Sequence, residues 1–445
     1  MPRTGLSRAW KTTITQIVHL RTICCVSTAA TPQALDDVRR FPLQVEDARR
    51  DAPDPAFDAA MRRWYPTERE METILERKLS RRGQPAPPPV TLDDLTRWLR
   101  AFLQPRVAGG FEIGGQRWFA GGASKIQMGF TLDARLAGDA APRTRRLVVR
   151  MEPAESLNST SRAREFQLLR ACEPHLPVPH AHWVDDRAEH FPEPALIYDF
   201  AEGVTKPGRT ASGALSGIGT QFDAALRAQL GPQFVAHLAK LHTVPVAGPG
   251  FESFDRPATG STQSAVWQLN RARRVWDEDR QGDLAIVEAA ADWLEEHLPV
   301  LDRVSIVHGD YRSGNFLFDE ASGRITAVLD WERGYLGDRH RDLAWAANRV
   351  FGCLAEDGQT FLASGLVPLE RFLADYERAS GLVVDPERLH WYTLFNAYQV
   401  AVAAIGSSHR VVKLGKSHQD ILLASTEAVG YGALEILRGE LAALG

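Results

Sequence analysis

Between residues 126 and 133, Ile126, Met128, Phe130 and Leu132 alternate with Gln127, Gly129, Thr131 and Asp133. A period of two puts the two sets on opposite faces of a pleated strand, so this run predicts a half-buried β-strand. The apolar runs 147–151 and 195–200 are rich in strand formers and predict two more. Residues 162–172 between them carry a helical pattern. Upstream, Leu92, Leu95, Trp98, Leu99, Phe102 and Leu103 form one apolar helix face. Thr91 precedes it as a cap, and Asp93 and Asp94 sit in the first turn. From about residue 215 the period is mainly helical, over 222–241, 265–279, 284–298, 369–380 and 389–404, with one β island at 305–331. A β-rich first part and a helical second part predict an α+β chain in two lobes.

The first ninety residues read differently. Residues 36–82 are densely charged and mixed in sign, yet Met61, Trp64, Met71, Ile74, Leu75 and Leu79 recur at roughly helical spacing and predict one or two amphipathic helices. The stretch from Arg81 to Pro89 holds Gly83 and four prolines and marks the clearest boundary, a stiff extended linker. The expected organisation is a leader over 1–35, a helical extension with its linker over 36–90, a small lobe over 91–203 and a helical lobe over 204–445. The leader contains Arg3, Arg8, Lys11 and Arg21 but no acid. That composition resembles a transit peptide, but without a clean apolar region it reads equally as a disordered start.

Composition narrows the function. With 445 residues, 44% hydrophobic and 24% charged, the chain can bury a sizeable core. A formal net charge of -4 gives no reason to expect a nucleic acid or a membrane surface as partner. The most apolar stretch, 391–405, is broken by Asn396 and Gln399 and reads as a buried helix. The four cysteines, Cys24, Cys25, Cys172 and Cys353, include no C-x-x-C pair, which points to a reducing, cytoplasmic setting.

The chemistry concentrates in Val307-His308-Gly309-Asp310-Tyr311-Arg312-Ser313-Gly314-Asn315-Phe316-Leu317-Phe318, followed by Leu329-Asp330-Trp331-Glu332. A turn containing Gly323 lies between them, so the segment predicts a hairpin with acids near both ends. Such a layout can bring Asp310, Asn315 and Asp330 together. Phosphoryl transfer asks a protein mainly for in-line positioning, metal on the phosphates and a group to take or orient the hydroxyl proton. Asp310 suits the last task. Asn315 and Asp330 offer hard oxygen ligands for Mg²⁺.

His308-Gly309-Asp310 with Asn315 resembles the catalytic loop of aminoglycoside phosphotransferases, relatives of protein kinases with Gly where those have Arg. Leu329-Asp330-Trp331-Glu332, then Gly337-Asp338 and Asp342-Leu343-Ala344-Trp345, is similar to the branch whose kinase-like domains are fused to acyl-CoA dehydrogenases. The resemblance covers residues 91–435. It implies a two-lobed protein-kinase-like fold, ATP and Mg²⁺ as cofactors, Asp310 as catalytic base, and Asn315 and Asp330 as metal ligands. It also implies nucleotide contacts from Gly121, Gly122 and Ser124 in a glycine loop, from Arg150 at the position of the kinase lysine, and from Glu165 as its partner on a helix. The loop departs from the protein-kinase pattern, with Lys125 where many relatives have Asn. Pro177-Val178-Pro179 matches a turn of the family, and residues 196–200 its hinge strand.

Plainer readings stand beside these. Gly121 and Gly122 could shape an ordinary hairpin turn. His308 is expected to hold its turn rather than act as a base. Glu332 either touches a metal-bound water or faces solvent. His175, His180 and His182 near Cys172 match no zinc spacing. Arg271, Arg273 and Arg274 read as a solvated basic helix face that a phosphate or carboxylate could use. The leading function is transfer of the γ-phosphate of ATP to a hydroxyl of a small molecule, with a hydroxy acid or hydroxyacyl-CoA as acceptor. An antibiotic-modifying kinase and a non-catalytic nucleotide-binding module are the alternatives. A protein kinase is disfavoured, because no Ala-Pro-Glu segment follows Asp330.

Overall fold

The computed structural model describes residues 47–119, 125–208, 221–417 and 420–443. The leader expected over 1–35 and the loop residues Gly121, Gly122 and Ser124 lie outside the described residues.

Three helices come first: α1 (Asp47–Asp51), α2 (Pro55–Trp64) and α3 (Arg69–Arg82). Helix α4 (Leu92–Leu103) begins at a reciprocal cap. Asp94 N donates to Thr91 Oγ1 at 3.1 Å, and Thr91 N donates to Asp94 Oδ2 at 3.2 Å. The small lobe then contains β1 (Phe111–Trp118), β2 (Ile126–Ala134), β3 (Arg143–Met151), α5 (Arg162–Cys172), β4 (Ala181–Asp185) and β5 (Ala195–Asp199). Its strands form one antiparallel sheet in the order β1-β2-β3-β5-β4. The expected alternation sets its two faces. Met128, Phe130, Leu132, Leu147, Val149 and Met151 pack under Leu95, Leu99, Phe102 and Leu103 of α4. Val148, Leu196 and Tyr198 join a second cluster with Leu168, Leu169 and Cys172 of α5. Arg150 alternates in phase with Val148 and so belongs to the face away from α4.

The larger lobe holds α6 (Ala224–Thr243), α7 (Gln263–Asp279), α8 (Ala285–Glu296), β6 (Ser305–Val307), β7 (Phe316–Asp319), β8 (Arg324–Val328), β9 (Tyr335–Gly337) and α9 (His340–Ala346). Short strands β10 (Cys353–Leu354), β11 (Phe361–Ala363) and β12 (Val367–Pro368) precede α10 (Leu369–Ser380) and α11 (Pro386–Ala401). A π-helical turn, Val402–Ser407, then leads into α12 (Ser408–Leu414) and α13 (Asp420–Ala442). Trp276, Val287, Leu294, Trp391, Phe395, Tyr398 and Leu437 form this lobe's own core. The β island is two separate pairings, β6 with β9 and the hairpin β7–β8. The expected two lobes with a helical extension are therefore the observed fold class. The chain has no described helix long and apolar enough to cross a membrane.

The extension is fastened by buried charge. Lys78 Nζ lies 3.0 Å from Glu278 and 2.8 Å from Asp279, and Arg82 Nη2 lies 2.7 Å from Asp279. Arg274 reaches Asp58, Glu72 and Glu278 at 2.9, 2.6 and 2.7 Å. Arg274 is thus fully buried, and Arg273 pairs with Glu295 at 2.9 Å, so the solvated basic face expected of Arg271, Arg273 and Arg274 is corrected. Short-range periodicity could not reveal acids donated from another segment. On the small-lobe side, Glu68 meets Arg164 at 2.6 Å and Glu70 accepts from Ser161. The extension therefore grips both α5 and α7.

Burial opposes charge on Asp279, but Lys78 and Arg82 outweigh it and hold the carboxyl well below its ordinary range. A carboxylate depressed by folding adds stability that is full above the unfolded value, about 3.9. That stability is lost as the pH falls through the folded value. Asp279→Ala is expected to cost about 3–5 kcal/mol at neutral pH, because two buried cations lose their shared acid. Urea unfolding checks this, and the deficit should shrink as the pH is lowered toward about 3.

Candidate active site

Strand β6 ends at Val307, and the chain turns through His308-Gly309-Asp310 before a 3₁₀ turn at Ser313–Asn315. Asp342, from α9, fixes that turn. Its carboxylate accepts from His308 N at 2.6 Å and from Gly309 N at 2.8 Å, and it also meets His242 Nε2 at 3.2 Å. Burial works against its charge, yet His242 and the backbone N–H groups keep its carboxyl below the usual range. His308 bonds Leu329 O through Nε2 at 2.9 Å, while Asp310 N approaches its Nδ1 at 3.2 Å. Its contacts are thus those of a brace. Gly309 has φ +79°, and a Cβ there would stand 2.6 Å from Arg333 O, so the turn requires glycine.

Asp310 is 8% exposed. Its Oδ1 accepts from Trp345 Nε1 at 2.6 Å and from Arg312 Nε at 2.9 Å, and its carbonyl accepts from Asn315 Nδ2 at 2.8 Å. Asn315 O in turn accepts from Leu329 N at 2.8 Å, next to Asp330. The structure thus draws Asp310, Asn315 and the Asp330 corner into one chain of hydrogen bonds. Asp330 itself is left-handed, at φ +67°.

Opposite this corner stands a charge network. Arg150 Nη2 bonds Asp330 Oδ1 at 2.6 Å and also Glu332, and its Nε lies 3.7 Å from Glu165. Arg162 meets Glu152 at 3.1 Å, Glu332 at 3.7 Å, and Glu165. Lys125 meets Glu152 at 3.2 Å and Glu332 at 3.5 Å. Burial disfavours the charge on Glu332, but Lys125, Arg150 and Arg162 together push its carboxyl far below the ordinary value. Burial likewise opposes charge on Arg150, while Glu165, Asp330 and Glu332 raise its pKa well above the usual one. Glu332 therefore faces cations rather than solvent. Lys125, Glu152 and Arg162 were not singled out as site residues from sequence. The one signal for Arg162 was its place three residues before Glu165, on the same helix face.

The network sets four carboxylates, Glu152, Glu165, Asp330 and Glu332, against three cations. The surplus negative charge has its outlet at Asp330, whose side chain is 31% exposed. A cleft of about 610 Å³ opens there, lined by Arg150, Glu165, Arg312, Asn315, Asp330 and Arg333. Phe119, Val148, Tyr198 and Phe200 supply an apolar end. Two hard oxygen donors beside a local excess of acid suit a small divalent cation. Among the described residues no group of three His, Cys, Asp or Glu side chains could hold a metal. His180 instead meets Glu173 at 2.6 Å, and His182 meets Asp199 at 2.7 Å.

Comparison with known proteins agrees with this architecture. The family model described as "Phosphotransferase enzyme family" matches residues 123–392. Acyl-CoA dehydrogenase family member 11 of Gallus gallus is 25% identical over 220 residues, covering 44% of this chain and 28% of that protein. The matches to acyl-CoA dehydrogenase family members span only 18% to 40% of their lengths. Aminoglycoside 3'-phosphotransferase of Streptomyces fradiae is 31% identical over 175 residues, or 37% of this chain and 58% of that one. A crystal structure of a candidate aminoglycoside phosphotransferase from Ralstonia eutropha shares the fold. Its TM-score is 0.55 at 22% identity, covering 78% of this chain and 97% of that one.

Arg150→Met removes one of the three cations around Glu332. The Glu332 carboxyl is then expected to titrate at higher pH than in the wild-type chain. Carbon-13 NMR of labelled glutamate reads the shift, and an unmoved resonance would contradict the network.

Proposed function

The chain belongs to the phosphotransferase enzyme family, and from that premise we propose that it transfers the γ-phosphate of ATP to a hydroxyl group of a small molecule. The observation that carries this reading is the hydrogen-bonded chain from Asp310 through Asn315 to the Asp330 corner, facing Arg150 across a cleft.

Each residue then has a task. Asp310, steered by Trp345 and Arg312, accepts the proton of the acceptor hydroxyl as that oxygen bonds the γ-phosphorus. The bond from the γ-phosphorus to its bridging oxygen breaks, and ADP leaves. Asn315 and Asp330 would hold Mg²⁺, which would neutralise phosphate charge when bound. Arg150, kept charged by Glu165 and Glu332, bonds the α- and β-phosphates. Gly121, Gly122 and Ser124 cover the phosphates, and the apolar end of the cleft takes the adenine. Residues 91–203 thus serve the nucleotide, and 204–445 supply the base, the metal ligands and the acceptor side, in the cytoplasm, where ATP is supplied. The likeness to acyl-CoA dehydrogenase family members supports a hydroxy acid or hydroxyacyl-CoA as acceptor. Arg312 and Arg333 in the cleft disfavour a polycationic antibiotic.

Screening ATP consumption against hydroxy acids, acyl-CoA derivatives and antibiotics, with mass spectrometry for an added phosphate, tests the reading. Asp310→Asn, which preserves shape, is expected to lower kcat by about 10²- to 10⁴-fold with ATP affinity retained. Wild-type turnover in that variant would remove Asp310 from the reaction. Asp330→Ala should abolish both activity and the response to magnesium, which a magnesium titration of nucleotide binding reads independently.

A further inference from the structure

Buried guanidinium groups in this chain ordinarily face an acid. Arg82 has Asp279, Arg162 has Glu152, Arg164 has Glu68, and Arg410 has Asp47 and Asp51. Arg341, which is buried, and Arg271 and Arg333, which are half-buried, depart from that rule. Among the described residues no carboxylate lies within ion-pairing distance of these three, and they lie close enough to repel one another. Arg333 and Arg341 both donate to a single amide oxygen, Gln399 Oε1. Arg341 is 2% exposed, and among the described residues Arg271 Nη2 bonds the carbonyl of Ser159, at 3.2 Å. Burial, then mutual repulsion, pulls Arg271 down to about 9 and Arg333 to about 10, so both remain cationic at neutral pH. Two guanidinium groups sharing one neutral amide, with a third beside them and no described carboxylate in direct contact with any of the three, are costly until an anion joins them.

Their position gives that anion a purpose. Arg333 and Gln399 line the main cleft. Arg271 lines a recess beside it, and Leu157, Asn158, Gln399 and Ala403 border both. The π-helical turn that follows α11 contributes Ala403 to this shared wall. The Arg333 guanidinium stacks 4.8 Å from the centre of the Trp345 ring, whose N–H holds Asp310. We propose that Arg271 and Arg333, with Arg341 behind them, form a seat for an anionic group of the acceptor, a carboxylate or a phosphate, one indole ring away from Asp310. Planar guanidinium groups bind either anion through paired N–H bonds. The seat makes the acceptor a hydroxyl compound that carries its own negative charge, and it rests on the phosphotransferase reading only for the hydroxyl.

Calorimetry on the full chain with AMP-PNP and Mg²⁺ tests this, using 3-hydroxybutyrate, its methyl ester, coenzyme A and inorganic phosphate as probes. At least one anion is expected to bind ten-fold or more tightly than the neutral ester. Preference for 3-hydroxybutyrate identifies a carboxylate, and preference for coenzyme A or phosphate a phosphoryl group. Arg271→Gln should weaken that anion ten-fold or more, Arg271→Lys should restore part of the loss, and AMP-PNP affinity should stay within two-fold. If Arg333→Gln folds, it should behave as Arg271→Gln does. Four results overturn the proposal: no anion bound above the ester, anion binding unchanged in Arg271→Gln, full loss persisting in Arg271→Lys, or loss of AMP-PNP affinity in step. Absence of phosphate transfer to any acceptor, with anion binding lost in Arg271→Gln, would remove the kinase reading and leave the seat standing.

Discussion

One carboxylate ties the two lobes together. Glu332 belongs to the large lobe, two residues past Asp330, yet its three cations come from the small lobe: Lys125 just before β2, Arg150 on β3 and Arg162 on α5. In a buried setting such an arrangement is specific rather than merely adhesive. Each guanidinium needs its acids at the right place, and misalignment strands a charge. The same contacts aim Arg150 at Asp330, so the geometry that joins the lobes also sets the mouth of the cleft. The brace from Asp342 to His308 and Gly309 does the corresponding work on the floor.

The extension adds a second tie of the same kind. Glu68 and Glu70 reach α5, while Lys78 and Arg82 reach the end of α7. The segment joins an apolar contact, Met71, Ile74 and Leu75 against Val275, to these ion pairs. Both lobes being gripped by one helix, any opening of the cleft must be accommodated by that helix as well. The Lys78–Asp279 pair is shared with Ser407, at the end of the π-helical turn, so the clamp reaches the turn that borders the cleft too.

Much of this was legible in the chain. The alternation at 126–133, the cap at Thr91 and the helices at 162–172 and 369–380 appear where local periodicity put them, because each is decided by neighbours no more than four residues away. Strand β4, five residues that include His182 and Asp185, is too short to stand out. Helix α13 carries Gly430, Gly432 and Gly439, which blur its signal. In the site, the proximity of Asp310, Asn315 and the Asp330 corner was recognisable because loop, turn and hairpin are contiguous. The charges around Glu332 were not, since their meaning depends on which strands of another lobe face them. Arg274 shows the same limit, its acids lying about two hundred residues upstream in Asp58 and Glu72.

The closed space at Gly309 reaches beyond the turn itself. Protein kinases carry arginine at this position of the loop, and their activation segments are ordered when a phosphorylated side chain finds an arginine partner. Here the backbone is left-handed and the carbonyl of Arg333 occupies the volume a side chain would need. No arginine can be installed at this point without rebuilding the loop. A phosphorylated side chain of the chain's own would therefore find no arginine receptor at this position.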